Sequence, residues 1–223
     1  MRPRKPKTRR LTARGAAMRE RIVSAAADLV WAKGAGETSL DGVMETSGAS
    51  KSQLYHYFSN KEELLCEAAA LQARRVLATH GRLLESLNSL DALRRWRDAV
   101  LALNRQSGCP LGALVYQLPK SAKGARNVVG DGFETWRRRV EDGLVEMRDR
   151  GELSQDANPA DIALAVLAAV QGGLLLSKGE KSNRPLEVAF DMALAYVDAH
   201  VPRAADARRP IQTDPGQVRP TEV

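Results

Sequence analysis

The sequence predicts an all-α protein, with an N-terminal three-helix unit holding a helix-turn-helix and a larger C-terminal helical bundle. Three observations carry this. Apolar residues recur at three- and four-residue spacing along most of the 223 residues. Ser and Asn stand immediately before these runs as helix caps. Alternating strand-like runs bounded by hairpin signals are lacking.

Residues 1–12 are rich in Arg, Lys and Pro and read as a disordered basic arm. The first helix is expected from about Ala13 to Lys33, with Met18, Ile22, Ala25, Ala26 and Leu29 on one face. Gly34 and Gly36 stop it. Ser39 caps a short second helix carrying Leu40, Val43 and Met44, which ends near Ser47. Gly48 and Ala49 make a tight turn, Ser50 caps a third short helix from Lys51 to about Tyr57, and Asn60 caps a fourth with Glu63 in the capping-box position. Two short helices joined by a brief turn with Gly form the helix-turn-helix pattern.

Longer amphipathic helices follow. Leu93, Trp96, Val100 and Leu103 share one face, and Val129, Phe133, Trp136, Val140, Leu144 and Met147 share another that Gly151 closes. The segment from Cys109 to Gly112 reads as a turn between them. Asn158-Pro159 is a cap with Pro at the first helical position, opening an apolar helix through Leu175, and a last helix starts at Pro185. Residues 201–223, with Pro202, Pro210, Pro215 and Pro220, read as a disordered tail.

The net charge of +7 is concentrated at one end. Residues 1–21 hold nine bases against Glu20, so this segment is +8 and the remainder −1. Such a block suits polyanions, and nucleic acid more than membrane because no apolar face accompanies it. No uninterrupted apolar run suggests a membrane span, since Ile162 to Leu176 is broken by Gln171, Gly172 and Gly173. No apolar stretch follows the first charges as a secretory signal would require. Cys66 and Cys109 fit unpaired thiols in a reducing cytoplasm, the expected location.

The second helix of a helix-turn-helix lies in the major groove of double-stranded DNA with its first residues at the base edges. That places Lys51, Ser52 and Gln53 in the groove, where Lys suits guanine and the Gln amide suits adenine. Tyr55, His56 and Tyr57 suit phosphates, as does Lys61 at the start of the fourth helix. Ser39 and Ser50 offer hydroxyls and free N–H groups at helix N-termini. The alternative, that Tyr-His-Tyr-Phe only packs two small helices together, leaves the arm, caps, turn and spacing without a common explanation.

Residues 13–65 closely resemble the DNA-binding domain of the tetracycline-repressor (TetR) family. The resemblance rests on Ile22-Val-Ser-Ala-Ala-Ala, Gly34-Ala-Gly-Glu-Thr-Ser39, Ser47-Gly-Ala-Ser-Lys51 and Leu54-Tyr-His-Tyr-Phe-Ser-Asn-Lys-Glu-Glu-Leu-Leu65. It implies a homodimer on a palindromic operator and an effector pocket in a C-terminal domain, here residues 66–200. It favours repression over activation. Ser52 stands where small residues, often Gly, are common, so a base preference does not transfer. Gly108-Cys-Pro-Leu-Gly112, Gly151-Glu-Leu153 and Gln171-Gly-Gly-Leu-Leu-Leu176 are similar to the LmrA/YxaF-type branch. That resemblance implies efflux-linked regulators of planar aromatic or drug-like compounds.

A small, mostly apolar effector would seek a cavity in the middle helices. Trp96, Phe133 and Trp136 are its expected rings, and Cys109, Tyr116 and Gln171 its polar groups. The competing reading makes each ring a core residue. Gly172-Gly173, Leu175 and Phe190, on the last two helices, are expected at a hydrophobic dimer interface. Nothing in the sequence points to an enzyme, a cofactor or a metal. His56, His80 and His200 have no acidic or Cys partners at metal-ligand spacing, and neither a nucleophile elbow nor a phosphate loop is present.

Overall fold

A computed structural model describes residues 11–104 and 107–203, without the side chains of residues 80–82. The basic arm and the tail lie, apart from their inner ends, outside the described residues. Among the described residues every regular element is a helix.

The N-terminal unit holds α1 (Ala13–Lys33), α2 (Leu40–Ser47) and α3 (Lys51–Tyr57), and α4 (Lys61–Glu85) packs on it. Side chains open each helix as expected. Thr12 Oγ1 accepts from the Gly15 N–H at 3.1 Å, Ser39 Oγ from Gly42 at 3.0 Å and Asn60 Oδ1 from Glu63 at 2.9 Å. Between α2 and α3, Gly48 takes φ +66°, and a Cβ there would stand 2.9 Å from the Arg21 guanidinium. The positive φ favours glycine, whereas the Arg21 end could move aside. The same guanidinium donates to the Ser47 carbonyl, tying the end of α2 to α1. Ile22, Ala26, Val43, Leu54, Phe58 and Leu64 close a small core around these contacts. Full burial of Phe58 or Leu54 contributes about 1.5–3 kcal/mol each.

The larger core belongs to α5 (Leu90–Leu103), α6 (Pro110–Gln117), α7 (Lys123–Asp149), α8 (Pro159–Glu180) and α9 (Arg184–Asp198). α4 serves both cores, with Leu64 and Ala68 in the small one and Leu65 and Ala69 in the large one. A division of the chain at residue 65 therefore falls inside one continuous helix. Gln72 Nε2 donates to the Ala27 carbonyl at 3.2 Å, and Arg75 pairs with Asp28 at 2.6 Å, so α1 and α4 are joined by polar contacts as well.

Two expectations are corrected. The segment at Cys109 is a helix start, not a turn: Pro110 occupies the first turn of α6, where its missing N–H costs nothing, and Cys109 Sγ accepts from the Gly112 N–H at 3.3 Å. α8 is long and apolar enough to cross a membrane by length and composition alone, a test that core helices also pass, and nine of its 22 residues are buried. Its apolarity is two-sided, because Ile162, Val166 and Val170 face the bundle while Leu164, Leu175 and Leu176 stay exposed. Finally, Phe190 points into the bundle and is fully buried. Gly173 is likewise spent within the chain: a Cβ there would stand 2.8 Å from the Leu186 Cα, so its absence lets α8 and α9 approach closely. Gly172, one residue earlier, faces open space.

Candidate functional site

α3 is amphipathic in a single pair of turns. Leu54 and the following Phe58 are buried, while Lys51, Ser52, Tyr55 and His56 are exposed. The exposed side begins at the helix N-terminus, where free N–H groups also favour anions. Ser39 and Ser50 are exposed as well, and Lys61 is half-buried.

Four residues of this set are already engaged, Ser39 and Ser50 as helix caps and Gln53 and Tyr57 in packing the helix. Gln53 Oε1 accepts the Ser50 N–H at 2.9 Å while Ser50 Oγ accepts the Gln53 N–H at 3.2 Å, a complete capping box. One lone pair of Gln53 Oε1 is thereby committed to the box, which restrains how the amide can approach a base. The Ser-x-x-Gln spacing was a readable signal for this role. Tyr57 is half-buried against α1, its hydroxyl 3.3 Å from where a Cβ on Gly15 would lie, and its ring meets His56 and Phe58 edge to face.

Part of the N-terminal charge is structural. Arg19 pairs with Glu67 at 2.7 Å and lies 5.3 Å above the Phe58 ring, while Arg21 holds Ser47. Arg14 is exposed, and the six bases from Arg2 to Arg10 lie outside the described residues.

A cavity of about 460 Å³ opens between α6, α7 and α8. Cys109, Tyr116, Phe133 and Gln171 line it together, as the sequence suggested. Tyr116 stands at the mouth, 79% exposed. Burial pushes the Cys109 thiol above its ordinary range, against opposing hydrogen bonds from Gly112, Gln171 and Leu111. The Gln171 amide is thus near the thiol, yet no acceptor meets its Nε2 at hydrogen-bonding geometry.

The two tryptophans stand elsewhere. Trp96 borders neither this cavity nor its smaller neighbour of about 200 Å³, and Trp136 borders only the smaller one. Both are fully buried and meet edge to face at 6.4 Å, and Trp96 meets Phe190 at 5.0 Å. The edge-to-face contacts pack these rings into the core, with Trp136 also turned to the smaller cavity.

Sequence reasoning missed Lys178, Gln117 and Gly108, which also line the larger cavity. Lys178 follows Gln171 by seven residues, two helical turns, so the shared face of α8 was legible once Gln171 was chosen. α6 also touches the N-terminal unit: a Cβ on Gly34 would lie 3.9 Å from the Gln117 side chain, and Val30 and Ala35 share a core with Leu114 and Leu118. The helix that lines the cavity is thereby packed on the end of α1.

Residues 22–68 match the family model described as bacterial regulatory proteins, tetR family, and residues 89–192 match the one described as transcriptional regulator LmrA/YxaF-like, C-terminal domain. The chain belongs to the TetR family. Transcriptional regulator AcuR of Cereibacter sphaeroides is 30% identical over 172 residues, covering 74% of this chain and 78% of that one. The HTH-type transcriptional regulator YxaF of Bacillus subtilis is 29% identical over 187 residues, covering 79% and 92%. A TetR-family regulator from Cytophaga hutchinsonii superposes with a TM-score of 0.74 at 18% identity, covering 87% and 100%, a likeness of fold. For this TetR-family regulator the helix-turn-helix match spans α2, α3 and the start of α4, and the LmrA/YxaF-like match spans every helix that lines the cavity. It is a DNA-binding transcriptional regulator.

Proposed function

We propose that this regulator is a ligand-responsive repressor, released from a palindromic operator by a small, mostly apolar or aromatic effector, and that it works in the cytoplasm. Residues 13–65 bind DNA, and residues 66–200 sense the effector and dimerise. The observation that carries the reading is α3: a helix pinned by Leu54 and Phe58 presents Lys51, Ser52, Tyr55 and His56 together at its open face. In this reading Lys51 and Ser52 meet base edges, while Tyr55, His56, Lys61 and the Ser39 and Ser50 hydroxyls meet phosphate. Gln53 and Tyr57 act chiefly by holding the helix in place.

A palindrome needs two copies of α3. Leu176 (56% exposed) on α8 and Val188 and Met192 (63%) on α9 form the apolar face that suits a symmetric interface. The effector acts by binding one dimer arrangement better than another, so that the two recognition helices leave their half-sites. α6 supports this coupling, since it lines the cavity and packs on α1.

The test is a gel-shift and footprinting series with the DNA flanking the regulator's own gene. A protected palindrome whose affinity falls in Lys51→Ala, and whose complex dissociates on adding a compound that occupies the cavity, supports the proposal. Absence of any protected sequence overturns it.

A further inference from the structure

The larger cavity has one charged residue in its wall. Among the described residues Lys178 is that residue, and no carboxylate among them lines the wall. Its stem runs past Gly108, whose φ of +78° and missing Cβ leave the Lys178 Cδ only 3.2 Å from where a Cβ would be. The ammonium itself rests over the Trp31 indole of α1, 5.2 Å from the ring centre. Two turns earlier on the same face of α8, the buried Gln171 amide lies beside the Cys109 thiol, with no oxygen acceptor meeting its Nε2. A seven-residue separation is about 10 Å along a helix. Val115, Phe133 and Leu174 supply apolar wall beside these groups.

From this arrangement, and resting on the reading of the cavity as the effector site, we propose that the effector is an organic anion with an apolar body, and that Lys178 recognises its anionic group. The ligand takes the ammonium from its seat on Trp31, so α8 releases α1 as the site fills. A carboxylate offers the ammonium a charge-assisted hydrogen bond, stronger than an exposed cation–π contact. Gln171 completes the site by donating to an oxygen elsewhere on the same molecule. A cationic ligand would meet Lys178 with no compensating acid among the described residues of the wall.

The experiment titrates the full-length protein calorimetrically with 4-phenylbutanoate, its primary amide and 4-phenylbutylamine, which share an apolar body and differ in charge. The carboxylate should bind at least 10-fold more tightly than the amide, and the amine not measurably. Lys178→Met should erase the carboxylate preference and Lys178→Arg should keep it, which separates charge recognition from a folding defect. Trp31→Leu should tighten carboxylate binding about 2- to 5-fold, because the competing cation–π contact is gone. Equal binding of acid and amide, a preference that survives Lys178→Met, preferential binding of the amine, or no binding of the acid overturns the proposal. Operator release is followed in the same titrations. Release by the amide or the amine with none by the acid would leave the effector-site reading standing and overturn only the anion.

Discussion

The Trp96 indole meets the Phe190 ring edge to face, with centroids 5.0 Å apart, at the centre of the large core. Trp136 meets Trp96 in the same manner. All three rings are fully buried, and Phe190→Ala should destabilise the protein by about 3–5 kcal/mol through the lost burial and the cavity left behind. Chemical denaturation checks this. A change under 1 kcal/mol would show that the ring is not packed as described.

The outward residues of the same helix should behave oppositely. Met192→Glu and Val188→Glu place charge on a face that is already exposed in the single chain. They should turn a dimer into a monomer while leaving helicity intact, since a charge buried at an interface is costly and one in water is not. Sedimentation velocity with circular dichroism distinguishes the two. A variant that remains fully dimeric would move the interface elsewhere.

Within α3, position 53 separates folding from reading. Gln53→Ala removes the side-chain half of the capping box, leaving the Ser50 cap, and should cost about 0.5–1.5 kcal/mol of stability, visible as a lower Tm without any DNA present. Lys51→Ala should leave Tm nearly unchanged and weaken operator binding by about 1–3 kcal/mol. If Gln53→Ala kept the parent Tm but altered base preference, the side chain would be a reader after all.

Deleting residues 1–10 should lower operator affinity and flatten the slope of log K against log salt, because fewer counterions are displaced. Arg19→Ala and Arg21→Ala should act differently, on stability first, since one pairs with Glu67 and the other holds the end of α2. An unchanged salt slope on deletion would mean that the arm does not touch DNA.

Both thiols are raised by burial above the ordinary value of 9.0. The unfolded chain sheds these protons first, so their contribution to stability is complete below pH 9 and declines as pH rises through the folded-state values. Labelling of the native protein with a disulfide reagent at pH 8 should be slower than in denaturant, where the thiolate is more abundant. Faster labelling of the native state would contradict the burial.

The sequence by itself determined what depends on neighbours along the chain. Caps at Thr12, Ser39, Ser50 and Asn60, the turn at Gly48 and the apolar faces of α1, α7 and α8 are local or periodic signals, and the structure places helices there. Tertiary structure alone decided which face meets what. Periodicity marks Trp96, Trp136 and Phe190 as inward but cannot distinguish a packed core from a cavity wall, because both want apolar side chains. It likewise could not tell that Gly173 serves α9 of its own chain rather than a partner. Nor could it bring Lys178 over Trp31, 147 residues away in the sequence and 5.2 Å away in space. Such contacts follow from how rigid helices cross, and crossing is set by the sum of many side-chain shapes rather than by any segment of the chain.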